Sequence, residues 1–513
     1  MIERVIVRTG TYHDSAFLMR VARELARRPG IGEATVLMGT PMNRELLAGA
    51  GFAAAALAPA TPMDMIVALR ATAEALATAE AELDVLLEGE SAPPAAGAAP
   101  RDRSLPEALA AHPQVTLVSV AVPGPYAAFT AQRALDAGRH IFLFSNNVPL
   151  AEELALKRRA VGEGLLVMGP DCGTAIIAGV GLGFANRVPR GPVGLVGASG
   201  TGIQEVSCQL AHLGCGVSQA IGTGSRDLTA DVNGLMTELG ARVLADDPAT
   251  TVIALIAKHP AEAVARRMHE VLRGLGKPVV VRYLGKPAPP SEGPVRYAVD
   301  LDDAARQAAA LARGAAPPAP GAAPGIAMRA AAILGGRARL GGRLCGLFGG
   351  GSLAAEAALI LAGRGVRTTE PDRPLATRGP LEGEGHLIVD TGEDFYTVGK
   401  PHPMVDQTVR CALLTKTAAD PAVDLVLLDL VLGDGSHQNP APELAAALAA
   451  GRAARGAAPL VVLASVTGTD ADPQNAARQC ALLAEAGVEV TRSATEAAHL
   501  AAALLAGAKG GAQ

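Results

Sequence analysis

The chain has 513 residues, of which 49% are apolar and 19% charged, and its net charge is −5. At roughly 150 residues per domain that is material for three or four cores, which excludes a disordered chain and a small disulfide scaffold. Aromatics make up 3%, with no Trp, so the stacking platforms and concentrated positive face that nucleic-acid binding needs are both missing.

The opening MIERVIVRTG reads as a short strand, without the long apolar run of a signal peptide. The most apolar stretch, residues 46–58, is mostly Ala and Gly and is shorter than the ~20 residues needed to span a bilayer. A cytoplasmic protein without membrane or nucleic-acid partners is expected. The six cysteines (172, 208, 215, 345, 411 and 480) form no C-x-x-C pair, so no metal site and no disulfide framework is expected.

Two Pro/Ala-rich stretches, GESAPPAAGAAPR (89–101) and GAAPPAPGAAPG (314–325), lack apolar periodicity and read as linkers. With a Pro/Gly boundary near residue 190, they divide the chain. The expected pieces are an N-terminal α/β domain (1–88), a Rossmann-like segment (102–189) that pairs with it or stands alone, a domain at 190–313 and another at 326–510. Each piece repeats a short apolar run, a Gly-containing turn and a helical stretch. The runs are VTLVSVAV (115–122), HIFLF (140–144), GLLVMG (164–169), VGLVG (193–197), TVIALIA (251–257), PVVVRYL (278–284), RLCGLFG (343–349), HLIVD (386–390), LVLLDLVL (425–432) and LVVLAS (460–465). They are continuous, not alternating, as strands covered on both faces require. Several doubly wound parallel-sheet α/β domains are the expected fold.

Ligands of such sheets bind at the carboxyl ends of the strands. Five loops there carry polar chemistry. In MGPDCGT (168–174), Pro170 and Gly173 set a turn, Asp171 can hold backbone N–H groups, and Cys172 has no activating neighbour in sequence. In VGLVGASGTGIQE (193–205), Ser199, Gly200, Thr201 and Gly202 open a helix whose N-terminus can attract an anion. Spacing alone leaves anion binding and an ordinary capped turn both open. IGTGSRDL (221–228) offers Gly224, Ser225 and Arg226, the last able to grip a carboxylate or phosphate or merely to pair with Asp227. GLFGGGSLAAEA (346–357) repeats the helix-start device with Gly350, Gly351 and Ser352. DTGEDFYTVGKPHPMVD (390–406) holds Asp390, Glu393, Asp394, Lys400, His402 and Asp406, with His402 stiffened between two prolines. Lys258, in IAKHP, also ends a strand, and His259 beside it is a weaker candidate for a phosphorylated residue.

Taken together, residues 115–310 resemble the alpha subunit of succinyl-CoA synthetase. The resemblance rests on VAVPGPYAAFTAQRALDAG, FSNNVPLAEE, MGPDCGT and VGLVGASGTGIQE. Residues 341–508 resemble the carboxyl-terminal domain of its beta subunit, with FGGGSLAAEA at the helix start. The resemblance implies a CoA-binding-type Rossmann domain and two flavodoxin-like domains whose helix starts approach one site. A linker stands where that family has its nucleotide-grasping domain, and GKPAPPSEGPVRYA (285–298) contains no histidine. ATP is therefore not expected, histidine phosphorylation is unsupported, and the case for CoA is weakened. RTGTYHDSAFLM (8–19), IGTGSRDL and GKPHPMVD resemble the FdrA family.

That resemblance implies a subunit of an oxamate carbamoyltransferase working with two companion subunits in allantoin breakdown. Phosphate or carbamoyl phosphate and other small anions would be its substrates. His402, Lys258 and Asp406 are then the expected catalytic groups. Ser199 to Gly202, Gly224 to Arg226, Gly350 to Ser352, Asp171 and Cys172 are the expected binding groups. The alternatives are an acyl-CoA synthetase (acid–thiol ligase) and a non-catalytic scaffold that keeps the fold.

Overall fold

The computed structural model describes residues 1–11, 13, 15–26, 28–91, 104–321, 325–369, 385–397 and 401–506. The structure is α/β throughout and divides into two compact units. One comprises Met1–Ser104 with Thr397–Pro401; the other comprises Leu105–Tyr396 with His402–Gln513.

The first unit holds a three-stranded sheet of β1 (Ile2–Arg8), β2 (Ile31–Met38) and β3 (Met65–Ala71), in the order β1-β3-β2. Both pairings are antiparallel, unlike the parallel grammar read along the chain. β3 is buried along nearly its whole length and is the central strand. Helices such as Ser15–Ala26 and Ala73–Ser91 pack Leu18, Leu25 and Leu83 against it. Asp64 fixes the turn before β3 by accepting from Gly10 N, Thr61 N and Thr61 Oγ1.

The second unit contains three sheets. The smallest is parallel, β4 (Leu117–Val120), β5 (His140–Leu143) and β6 (Val167–Met168). The largest has the strands β7 (Thr174–Ile177), β8 (Val180–Gly183), β9 (Arg190–Gly197), β10 (Val217–Gly222), β11 (Val252–Lys258), β12 (Val279–Leu284) and β13 (Val295–Tyr297). Their order is β13-β12-β11-β9-β10-β7-β8. It is parallel except for the β7–β8 hairpin, which joins β10 antiparallel. The third is wholly parallel, β14 (Arg343–Phe348), β15 (Thr368–Thr369), β16 (His386–Asp390), β17 (Val423–Val431), β18 (Val461–Thr467) and β19 (Glu489–Thr491), in the order β15-β16-β14-β17-β18-β19.

Every apolar run read as a strand is one. β11 is buried at all positions but its last, and β12 at every position, as strands covered on both faces must be. The covering helices place apolar residues one turn apart: Val264, Met268 and Leu272 line the buried side of Glu262–Arg273. Two sequence boundaries shift. The hairpin before residue 190 belongs to the same sheet as β9, so the sheet runs across that boundary. Residues 89–91 end a helix; the rest of the first linker stretch, and 322–324 of the second, lie outside the described residues.

The two large sheets share one hydrophobic core. Val193, Leu195, Ile203 and Leu301 join Leu344, Phe348, Leu353 and Leu500 in a single cluster. A buried ion pair crosses it. Arg282 on β12 and Glu356 on the helix Gly351–Gly363 are both inaccessible, with Nε 3.2 Å from Oε1 and Nη2 bonded to Oε2. Glu356 Oε1 also accepts from Leu301 N at 2.8 Å. Removing one partner of such a pair strands a charge in low dielectric, at a cost of about 3–5 kcal/mol. Glu356→Ala is expected to lower the stability of the full chain by that amount, read as a fall in the urea midpoint, and Glu356→Gln by less.

Candidate functional site

The helices Gly200–His212 and Gly351–Gly363 begin where β9 and β14 end, and their starts meet. Gly197 takes φ of +153° so that the chain can turn hard against Ile256 O, where any side chain would collide. Ser199 then caps the first helix, accepting from Gly202 N at 3.2 Å. Its hydroxyl donates to Ser352 Oγ at 2.7 Å, and both serines are 5% exposed. Thr201 fills the space above Gly350, where a Cβ would stand 3.0 Å from Thr201 Cγ2. The first-turn amides of Gly200 and Thr201 have no acceptor within their own helix and carry its positive end.

The second helix start is already answered by carboxylates. Gly349 N and Gly350 N donate to Asp429 Oδ1 and Oδ2 at 2.7 and 2.8 Å. Asp429, on β17, is fully buried and 2.8 Å from Arg410 Nη2. Arg410 also donates to Leu347 O. Asp390, at the end of β16, lies so close to Gly351 that no side chain fits there, and its Oδ1 accepts from Gly392 N at 2.9 Å. Burial pushes the Asp390 carboxyl up to about 6, against the pull of the Gly392 hydrogen bond and the charge of Lys258. Lys258 thus faces the same place from the end of β11.

His402 completes the group. A Cβ on Gly392 would stand 2.6 Å from His402 Nε2 and 3.1 Å from Asp390 Oδ1, so the ring and the carboxyl flank one glycine. His402 Nδ1 accepts from Met404 N at 3.2 Å, which leaves the ring proton on Nε2. Burial drives its pKa down to about 4, so it is a neutral imidazole at pH 7. The ring of Phe184 lies 6.3 Å away.

Other expected residues stand elsewhere. Arg226 is committed to structure: it donates to Val148 O at 2.6 Å and lies 2.8 Å from Glu153. Asp227 is not its partner; it is buried and holds Lys157 Nζ at 2.8 Å, Met236 N and Thr237 N. Gly224 is required because its backbone, at φ +88°, presses on Pro170 O, and Ser225 is exposed beside it. Asp171 is exposed in the turn that Gly224 packs against, with its own N–H on Ser145 O at 2.9 Å. Cys172 is 2% exposed, and burial raises its thiol to about 12, so it is no nucleophile. Asp406 Oδ1 accepts from Thr408 N at 2.7 Å, closing the turn that leads into the helix Thr408–Ala419. Lys400 lies outside the described residues. Asp429 was the residue to find: it is an acid set inside a continuous apolar run.

Two measurements check these assignments. An acid that holds its proton more tightly when folded stabilises the fold most below its unfolded pKa, and that contribution is lost as pH rises through the folded value. Asp390 moves from 3.8 to about 6, so it costs stability between about pH 4 and 6, by about 2–3 kcal/mol. Asp390→Asn is expected to flatten that part of the pH profile of the urea midpoint and to be the more stable form at pH 7. Iodoacetamide at pH 8 is expected to spare Cys172 in the native chain and to label it after denaturation, as mass spectrometry would show.

Comparison with known proteins agrees with this architecture. Residues 190–283 match the CoA binding domain family and residues 347–504 the CoA-ligase family; the former match falls on 190–283, not on the 102–189 segment. Residues 1–102 match a family described as AllF, heavy metal-associated domain. The described residues there do not fit such a metal. That segment contains no cysteine, and no three His, Cys, Asp or Glu cluster among the described residues. Succinate–CoA ligase [ADP-forming] subunit alpha 2 of Archaeoglobus fulgidus is 31% identical over 33% of this chain and 59% of its own length. The chain therefore spans less than two thirds of that subunit. The dinucleotide-forming acetyl-coenzyme A synthetase 1 of Ca. Korarchaeum cryptofilum aligns over 77% of this chain and 84% of its own, at 17% identity and a TM-score of 0.31. The succinate–CoA ligase relative is a ligase subunit by its name, and the matching family models are of CoA-binding and CoA-ligase type. Carbamoyl transfer, expected from the FdrA resemblance, is overturned by these matches. The uncharacterized protein YahF of Escherichia coli (strain K12) is 36% identical over 98% of both chains, and the chain belongs to the YahF family, built from CoA-binding and CoA-ligase-type domains.

Proposed function

We propose that the chain is an acyl-CoA synthetase-like protein of the acid–thiol ligase type, with its anion site at the meeting helix starts. The observation that carries this reading is the 2.7 Å bond between Ser199 and Ser352. It joins the helix start of the CoA-binding match to that of the CoA-ligase match. Fully buried Asp429 fills the amides at Gly349 and Gly350. A bound anion is therefore drawn to the other helix start, by the Gly200 and Thr201 amides and the Thr201 hydroxyl. Lys258 adds a full positive charge; it is exposed, with no hydrogen bond or ion pair among the described residues. These groups fit the phosphates of CoA. Asp390 and neutral His402 are placed to exchange a proton or hydrogen bond with what is held there.

The Pro/Ala stretch at 314–325 supports a division of labour in which companion subunits supply nucleotide chemistry. The loops RTGTYHDSAFLM and GKPHPMVD support a place near FdrA-type acyl-CoA synthetase-like proteins. Calorimetric titration of the purified full chain with CoA tests the reading. Saturable binding is expected, weakened tenfold or more by Lys258→Ala. The absence of saturable binding to the folded wild-type chain rejects it.

A further inference from the structure

A second cluster of polar groups gathers at the carboxyl ends of β11 and β12, and two of its buried atoms are unanswered. Ala257 pairs with Tyr283 and Lys258 with Leu284 in the sheet register, and His259 N donates to Leu284 O at 3.1 Å. The rings of His259 and Tyr283 meet edge to face, 6.0 Å apart. Tyr283 is 6% exposed. Neither its hydroxyl nor His259 Nδ1 has a hydrogen-bond partner among the described residues.

Buried polar atoms in native proteins are almost always paired, and an unpaired donor loses its hydration for nothing. The neighbours do not resolve the deficit. Tyr297 packs against Tyr283 at 6.2 Å, but its hydroxyl is engaged with His269 Nδ1 at 3.0 Å. Positive charge lies beside His259. Lys286 is exposed and without an ion-pair partner among the described residues, whereas Lys258 alternates to the other face of the sheet, toward Asp390. Burial first, and then the charge of Lys286, lowers the His259 pKa. Glu262, the acid that opposes this shift, is exposed and 3.8 Å from Arg266. Burial raises the Tyr283 pKa, which keeps the phenol a proton donor.

We infer that Tyr283, His259 and Lys286 form a binding site for the carboxylate or phosphate group of a small molecule. The anion accepts from the phenol and the imidazole and is neutralised by the Lys286 ammonium group. A phenol and an imidazole that both lack partners need an acceptor with several lone pairs, which an oxyanion supplies and an apolar ligand does not. The site does not depend on the CoA reading, and CoA takes no part in its test.

The full-length chain is titrated calorimetrically with inorganic phosphate and, separately, with malonate, as wild type and as the Tyr283→Phe and Lys286→Ala variants. At least one probe is expected to bind saturably, and each variant to weaken it tenfold or more. Tyr283→Phe is also expected to raise the Tm of the ligand-free chain, because an unpaired hydroxyl is removed. Tighter binding of phosphate marks the natural ligand as a phosphate ester; tighter binding of malonate marks it as a carboxylic acid. Lys286 is exposed, so its replacement keeps the test decisive if the Tyr283 variant fails to fold. Absence of saturable binding of both probes, or wild-type affinity in the folded variants, overturns the site.

Discussion

Two helix starts that point at one another place positive ends together, and that repulsion organises the second unit. Each end is worth about half an elementary charge, and the contact between Ser199 and Ser352 is buried. The compensation is built in from one side. Asp429 is bound by two amides and Arg410, and Asp390 sits against Gly351. The result is a centre with acids gathered on the six-stranded side and Lys258 facing it from the seven-stranded side.

The same polarity recurs in the surrounding joint. Asn186 reaches Asp472 at 2.8 Å and Gln204 reaches Leu432 O at 3.1 Å. Glu205 accepts from Thr467 and from Ala494 N, and Ser493 donates to Asp302 at 2.7 Å. Burial raises the pKa of Glu205, and raises that of Asp302 to about 8. Joints made of directional bonds fix position in a way that apolar packing alone does not. That accuracy is needed where two loops from different sheets must meet within hydrogen-bond distance.

Much of this was legible along the chain because strand and helix have different periods. Continuous apolar runs such as TVIALIA and PVVVRYL marked the covered strands, and small residues after VGLVG and RLCGLF marked both helix starts. What sequence could not show was who answers whom. Arg226 looks the same whether it grips a substrate or Glu153, and Asp406 the same whether it moves protons or closes a turn. Asp429 was hidden inside LVLLDLVL, where its charge made sense only once Gly349, Gly350 and Arg410 had been brought around it. The antiparallel sheet of the first unit escaped because edge strands half open to solvent, like β1, carry a weak pattern.

The shared core has a consequence for the segment at 314–325. Because Leu195 and Leu344 belong to one apolar cluster, the two sheets cannot part without exposing it to water. The connecting segment is therefore not a hinge between independent bodies. Its contribution is an effective concentration: it keeps two halves of one obligate assembly in each other's reach while they fold.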